Sequence, residues 1–118
     1  MTVTLAQRTK QFAVRIVRLY SALPRGTAVR VIGHQLLRSG TSVGAHCREA
    51  FRSRSDAEWV SKIEVALQEL DETLYWLELL VESEVVAESR LSPLMQEIDE
   101  LIAIMVASLK TVKACRKR

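Results

Sequence analysis

Apolar residues recur at helical spacing along nearly the whole chain. Leu5, Phe12, Ile16, Leu19 and Leu23 fall three, four or seven residues apart, the interval that lines one face of an α-helix. Pro24 and Gly26 then break the pattern. A second stripe, Val29, Ile32, Leu36, Val43, Cys47 and Ala50, follows on near-heptad spacing and fades around Ser53. Ser55-Asp56-Ala57-Glu58 has the form of a capping box, in which the Ser55 hydroxyl accepts from the Glu58 amide and the Glu58 carboxylate reaches back. It opens a third stripe of Trp59, Ile63, Ala66, Leu70, Leu74, Leu77 and Val81. Glu84 to Ser92 reads as a connection or a frayed helix start, and Pro93 suits the first turn of a last helix, where a missing amide costs little. That helix runs on through Ile98, Leu101, Met105, Leu109 and Val112. The pattern predicts helices over about 3–22, 28–53, 55–83 and 90–115 in a single domain covering 1–118. Four amphipathic helices with short connections make an all-α, antiparallel up-down-up-down four-helix bundle.

Two features exceed what a lone bundle needs. Gly33, Gly40 and Gly44 share one edge of the second helix, although each costs about 1 kcal/mol relative to Ala in a helix interior. Their alignment implies that another backbone passes close. The third helix carries Val65, Trp76 and Leu79, with Tyr75 beside them, away from its main stripe. The fourth is apolar all round from Leu101 to Ala107, Ile104 included. A helix apolar on every side is buried on every side. Val65, Tyr75, Trp76, Leu79 and Ile104 are therefore candidates for a homo-oligomer interface, since a monomer would expose them as a patch.

Charge is sorted along the chain. Met1 to Arg54 holds ten Lys or Arg and one acid, Glu49; Ser55 to Leu109 holds thirteen acids against Lys62 and Arg90; the last nine residues are basic again. The modest net charge of +3 hides this polarity, which implies pairing between segments, pairing between subunits, or a basic surface for an anionic partner. With Leu36 at the centre of the second helix's core face, Arg30, Arg38, Arg48 and Arg52 lie roughly 120° to 200° away, one basic stripe with His34 and Thr41 among them. Arginine favours bidentate contact with phosphate or carboxylate. The candidates for phosphate contact are Arg15, Arg18, Arg30, Arg38, Arg48, Arg52, Lys113 and Arg116; those for structural ion pairs are Arg38, Arg48, Glu49, Lys62, Glu69 and Glu72. The basic tail has a second explanation, since cations near a helix C-terminus complement its dipole.

Catalytic chemistry leaves no comparable trace. Di-iron bundles require Glu-x-x-His on two helices. This chain has none; His46-x-x-Glu49 is the reverse order, and Glu69-x-x-Glu72 has no imidazole partner. Cys47 falls on an apolar stripe, and no Ser, Thr or Cys has a base and an orienting group at recognisable spacing. Neither catalytic nor metal-binding residues are expected, no cofactor is implied, and the chain reads as a non-enzyme. Cys47 and Cys115 make no disulfide framework, and no apolar run approaches the length of a membrane span. The expected setting is the cytoplasm, away from membranes.

The second helix carries the most specific signature. Leu36-Leu37-Arg38-Ser39-Gly40-Thr41-Ser42-Val43-Gly44-Ala45, followed by Arg48-Glu49-Ala50, resembles the four-helix-bundle proteins of the ribosomal-RNA intervening-sequence type. The likeness extends to Leu19-Tyr20, Leu23-Pro24, Arg54-Ser55 with Glu58, Glu69, Glu72, and Tyr75-Trp76-Leu77-Glu78-Leu79-Leu80, so it covers nearly the whole chain. His46 departs from it, standing where the family favours Asn. The resemblance implies a homopentamer of four-helix bundles without cofactor. A related branch, the accessory proteins of diversity-generating retroelements, consists of basic pentamers that bind nucleic acid and a reverse transcriptase. Fold analogy of this kind carries function only as an expectation. Two expectations follow: an oligomeric bundle that binds structured RNA, or RNA and DNA, through its basic surface, or a protein-interaction scaffold whose arginines are consumed by the acidic third helix. A reverse transcriptase is one possible protein partner. Exposure of the four stripe arginines separates the two readings.

Overall fold

In a computed structural model, which describes residues 3–116 and the last of these only as backbone, the helical stripes become four helices. They are α1 (Leu5–Ala22), α2 (Thr27–Phe51), α3 (Asp56–Glu82) and α4 (Glu88–Arg116), with no strand among the described residues. α2 packs most extensively against α3 and then against α1; α3 supports α4, and α1 touches α4 only sparsely. The result is an all-α four-helix bundle of 52 × 25 × 23 Å.

Helix ends follow local chemistry. Thr4 caps α1 with a full capping box, its hydroxyl accepting from the Gln7 amide at 3.1 Å while the Gln7 side-chain oxygen accepts from the Thr4 amide at 2.9 Å. At α3 only half of the expected box forms. Ser55 Oγ accepts from the Glu58 amide at 3.1 Å, but the Glu58 carboxylate turns to the Arg54 amide at 3.4 Å. Pro93 is not in the first turn of α4. The helix begins five residues earlier, at Glu88, with Val86, Leu91 and Leu94 buried to anchor it. Pro93 leaves the Ser89 carbonyl without its helical amide, and the Ser92 hydroxyl approaches that oxygen at 3.5 Å.

The core is built from Phe12 and Ile16 of α1, Leu36, Val43 and Cys47 of α2, Ile63, Leu70, Leu77 and Leu80 of α3, and Leu91, Ile98, Leu101 and Met105 of α4. On α3 the expected Ile63, Ala66, Leu70 and Leu77 are buried, joined by Val60, Thr73 and Leu80, whereas Trp59, Leu74 and Val81 pack at the edge of the core. Thr73 fits against buried Ser39 of α2 in a shared hydrogen bond of 2.9 Å. Each hydroxyl has one proton. Thr73 donates best to the Glu69 carbonyl at 2.7 Å, which leaves Ser39 to donate to Thr73.

The glycine edge of α2 is where α1 crosses. A Cβ on Gly44 would stand 3.3 Å from the Thr9 carbonyl oxygen, a backbone contact. One on Gly40 would come within 2.8 Å of Ile16 Cγ1 and Cγ2, and one on Gly33 would meet Leu23 and Tyr20 at 3.1 to 3.2 Å. Thr9 is fully buried beneath this crossing, its hydroxyl donating back to the Leu5 carbonyl at 2.9 Å.

Candidate functional site

The acidic α3 claims fewer of the basic residues than the charge balance allowed. Arg38 is held by two carboxylates, Glu69 Oε2 at 3.3 Å and Glu72 Oε2 in closer contact, and by the Gln35 side-chain oxygen at 3.1 Å. Its side chain is still 49% exposed, so this pair lies at the bundle surface. Hydrogen bonding to Glu72 raises the Arg38 pKa further. Glu72 is held below the usual carboxylate range, first by the Trp76 indole, which donates to it at 2.9 Å, and then by Arg38.

Glu49 and Lys62 join α2 to α3 at 2.7 Å, an exposed contact that lowers the Glu49 pKa and raises that of Lys62. Arg8 joins α1 to α4 through Glu97 at 2.5 Å, with Glu100 at 3.9 Å, a pairing absent from the sequence expectations. Lys113 comes within 3.8 Å of Glu64. Arg48, the other arginine expected in a structural ion pair, makes none within the subunit among the described residues, whereas Glu49, one residue on, reaches Lys62.

Arg18, Arg30, Arg48 and Arg52 are exposed and Arg15 is half-buried, and none of the five is in an ion pair among the described residues. The side chain of Arg116 lies outside the described residues. Lys10 and Arg25, which reasoning on α2 alone did not reach, join the same surface. Lys10 lines a groove of about 540 Å³ between α1 and α2 together with Arg48 and Arg52, and Arg25 lines a second of about 550 Å³ around the α1–α2 turn with Arg30. The signal for Lys10 was its place off the Phe12–Ile16 face, which acquires meaning only once α1 is laid along the glycine edge.

The oligomer candidates divide. Trp76 packs against the core, donates to Glu72 and meets Tyr75 edge-on at 5.0 Å, so it has work inside the subunit. Tyr75 is 52% exposed. Val65, Leu79 and Ile104 are half-buried and lie outside the core cluster. Val14, Val17 and Val31, which the periodicity did not single out, are exposed on α1 and α2.

Nucleophiles and ligands are scattered. Cys47 is buried and its thiol is pushed up to about 11 by burial, the opposite of an activated thiolate. No group of three His, Cys, Asp or Glu that could hold a metal ion occurs among the described residues. His46 lies 3.4 Å from Glu49 Oε1, but its buried Nδ1 makes no hydrogen bond. No helix among the described residues is long and apolar enough to cross a membrane.

This geometry has known counterparts. A family model described as the 23S rRNA-intervening sequence protein matches residues 1–107. The chain belongs to that family. A crystal structure from Bacteroides thetaiotaomicron, of a protein with unknown function from the S23 ribosomal protein family, is 36% identical in sequence. The match covers 91% of this chain and 99% of that one, with a TM-score of 0.85. No curated protein matches. The family accounts for the four-helix fold and for the Leu36–Ala50 signature, whose parts now have places: Arg38 with Glu69 and Glu72, Ser39 with Thr73, Gly40 with Ile16, Gly44 with Thr9. The signature is thus largely a helix-packing device; of the free stripe arginines Arg48 lies within it, and Arg30 and Arg52 stand on either side.

Proposed function

We propose that this protein is a non-enzymatic, oligomeric helical bundle that binds nucleic acid, structured RNA foremost, through the basic surface of α1 and α2. One observation carries the reading. Of the four stripe arginines, only Arg38 is engaged by α3; Arg30, Arg48 and Arg52 are exposed and unpaired among the described residues. Lys10 and Arg25 extend the same surface through the grooves they share with Arg48, Arg52 and Arg30, and Arg15 and Arg18 add further unpaired cations on α1. A scaffold that consumed its arginines internally would have sequestered the stripe. The family's description, a protein of the 23S rRNA intervening sequence, supports an RNA context without naming a ligand.

The same proposal includes up-down-up-down connectivity and assembly of identical subunits into a pentamer. Exposed Tyr75, with half-buried Val65, Leu79 and Ile104, supplies apolar surface for such an assembly on α3 and α4, away from the α1–α2 surface. The acidic outer residues of α3 and α4 would then be available to keep neighbouring subunits in register. Each phosphate that a cation no longer neutralises makes the salt slope of binding shallower by about 0.9. Replacing Arg30, Arg48 and Arg52 together by Gln is expected to weaken RNA binding strongly in a filter-binding assay while leaving the helical circular dichroism unchanged. Unaltered RNA affinity in that variant would reject the arginine stripe as the binding surface.

A further inference from the structure

We infer that the phosphodiester backbone of the bound nucleic acid runs in the groove between α1 and α2, gripped from both walls. This location rests on the nucleic-acid reading above and goes beyond it by choosing one groove out of a broad basic surface. The floor is made of small residues. Ala6 and Ala13 from α1 and Gly44 and Ala45 from α2 line it, and Gly44 brings the two backbones close enough that no side chain fills the gap. Lys10 stands on the α1 wall, Arg48 and Arg52 on the α2 wall. The one acid in the lining, Glu49, is already bound to Lys62 at 2.7 Å, so the groove keeps a surplus of positive charge.

The lining also selects between anionic partners. An acidic helix docking here would need an apolar or aromatic anchor seated in a pocket, because such anchors carry most of the energy of protein interfaces. Between its charged residues the groove offers only Ala, Gly and Thr41, with no large apolar or aromatic side chain to pack around such an anchor. A phosphate backbone needs only cationic and hydroxyl contacts at close approach. No aromatic side chain lines the groove for base stacking, so binding there tracks the backbone and tolerates sequence changes.

The test separates the groove from the wider reading. A fluorescein-labelled RNA hairpin is titrated with the full-length protein, with Ala45→Leu, which fills the groove without changing charge, and with Arg48→Gln/Arg52→Gln. A third variant, Arg18→Gln/Arg30→Gln, removes as many charges outside the groove. Ala45 is exposed, so Leu there is compatible with the fold, and unchanged helical dichroism and melting temperature verify it. The expected result is a loss of about tenfold or more for Ala45→Leu and Arg48→Gln/Arg52→Gln, with a clearly smaller loss for Arg18→Gln/Arg30→Gln. Wild-type affinity for Ala45→Leu, with the loss concentrated in Arg18→Gln/Arg30→Gln, overturns the groove and leaves nucleic-acid binding standing. Absence of salt-sensitive RNA binding by the wild type overturns both. So does displacement of the RNA by polyglutamate as effectively as by unlabelled RNA at equal charge, which would assign the groove to an acidic protein.

Discussion

Gly40 shows what a single missing methyl group does in this fold. A Cβ there would lie 2.8 Å from two carbons of Ile16, a fully buried β-branched side chain with little freedom to move. Gly40→Ala gains up to about 1 kcal/mol of helix propensity, but overpacking costs about 1–3 kcal/mol. The overpacking term wins: urea denaturation should show a net loss of stability for Gly40→Ala, and a smaller loss when the same change is made in an Ile16→Ala background. Thr73 makes a complementary case. Thr73→Val removes the oxygen to which buried Ser39 donates, leaving it only the Leu36 carbonyl at 3.4 Å, and should cost about 1–3 kcal/mol by the same measurement. Ser39→Ala added to it should recover part of that loss. The glycines were legible in the sequence because glycine is costly in a helix and three on one edge demand a reason. The Ser39–Thr73 pair was not, because a lone Ser or Thr in a helix is ordinarily a surface residue.

At the scale of elements, α2 and α3 are joined by the buried Ser39–Thr73 contact and, at the surface, by Arg38 with Glu69 and Glu72 and by Lys62 with Glu49. Glu72 titrates below the ordinary carboxylate range in the folded protein, so its contribution is fully present above that range and is lost as pH falls through the folded value. Stability measured by chemical denaturation should decline on acidification below about pH 5, and Glu72→Gln should flatten that decline. An unchanged pH profile in the variant would show that the Arg38–Glu72–Trp76 cluster does not couple to folding. Helix number and type were readable from periodicity alone. The edges of the buried face of α3 were not, since Trp59, Leu74 and Val81 are as apolar as Val60 and Leu80, and buried Thr73 gives no apolar signal; its place is set by Ser39 across from it, a tertiary fact. Pro93 misled for a related reason: buried Val86 and Leu91 extend α4 backwards past the expected proline start.

For the whole molecule, sorted charge is the feature with the widest consequences. It could have been cancelled by packing α3 against the basic helices, but among the described residues only Arg38 shows that kind of neutralisation between α2 and α3; the Glu49–Lys62 contact instead pairs the minority charges of the two segments. The sequence showed that α1 and α2 are basic; which arginines stay free depended on how α2 is turned toward α3. Subunit assembly is the second whole-molecule prediction. Sedimentation-equilibrium measurements should give a pentamer, and Leu79→Asp with Ile104→Asp should shift it toward smaller species while the helical content is retained. A monomeric wild type would contradict the assembly and leave the apolar surface unexplained. The most direct test of nucleic-acid binding is the affinity of the wild-type protein for structured RNA as a function of salt. Log-linear weakening with log salt is expected, with a slope of about −3 or steeper, as several arginines release condensed counterions. A flat salt dependence, or no binding at low ionic strength, would contradict it.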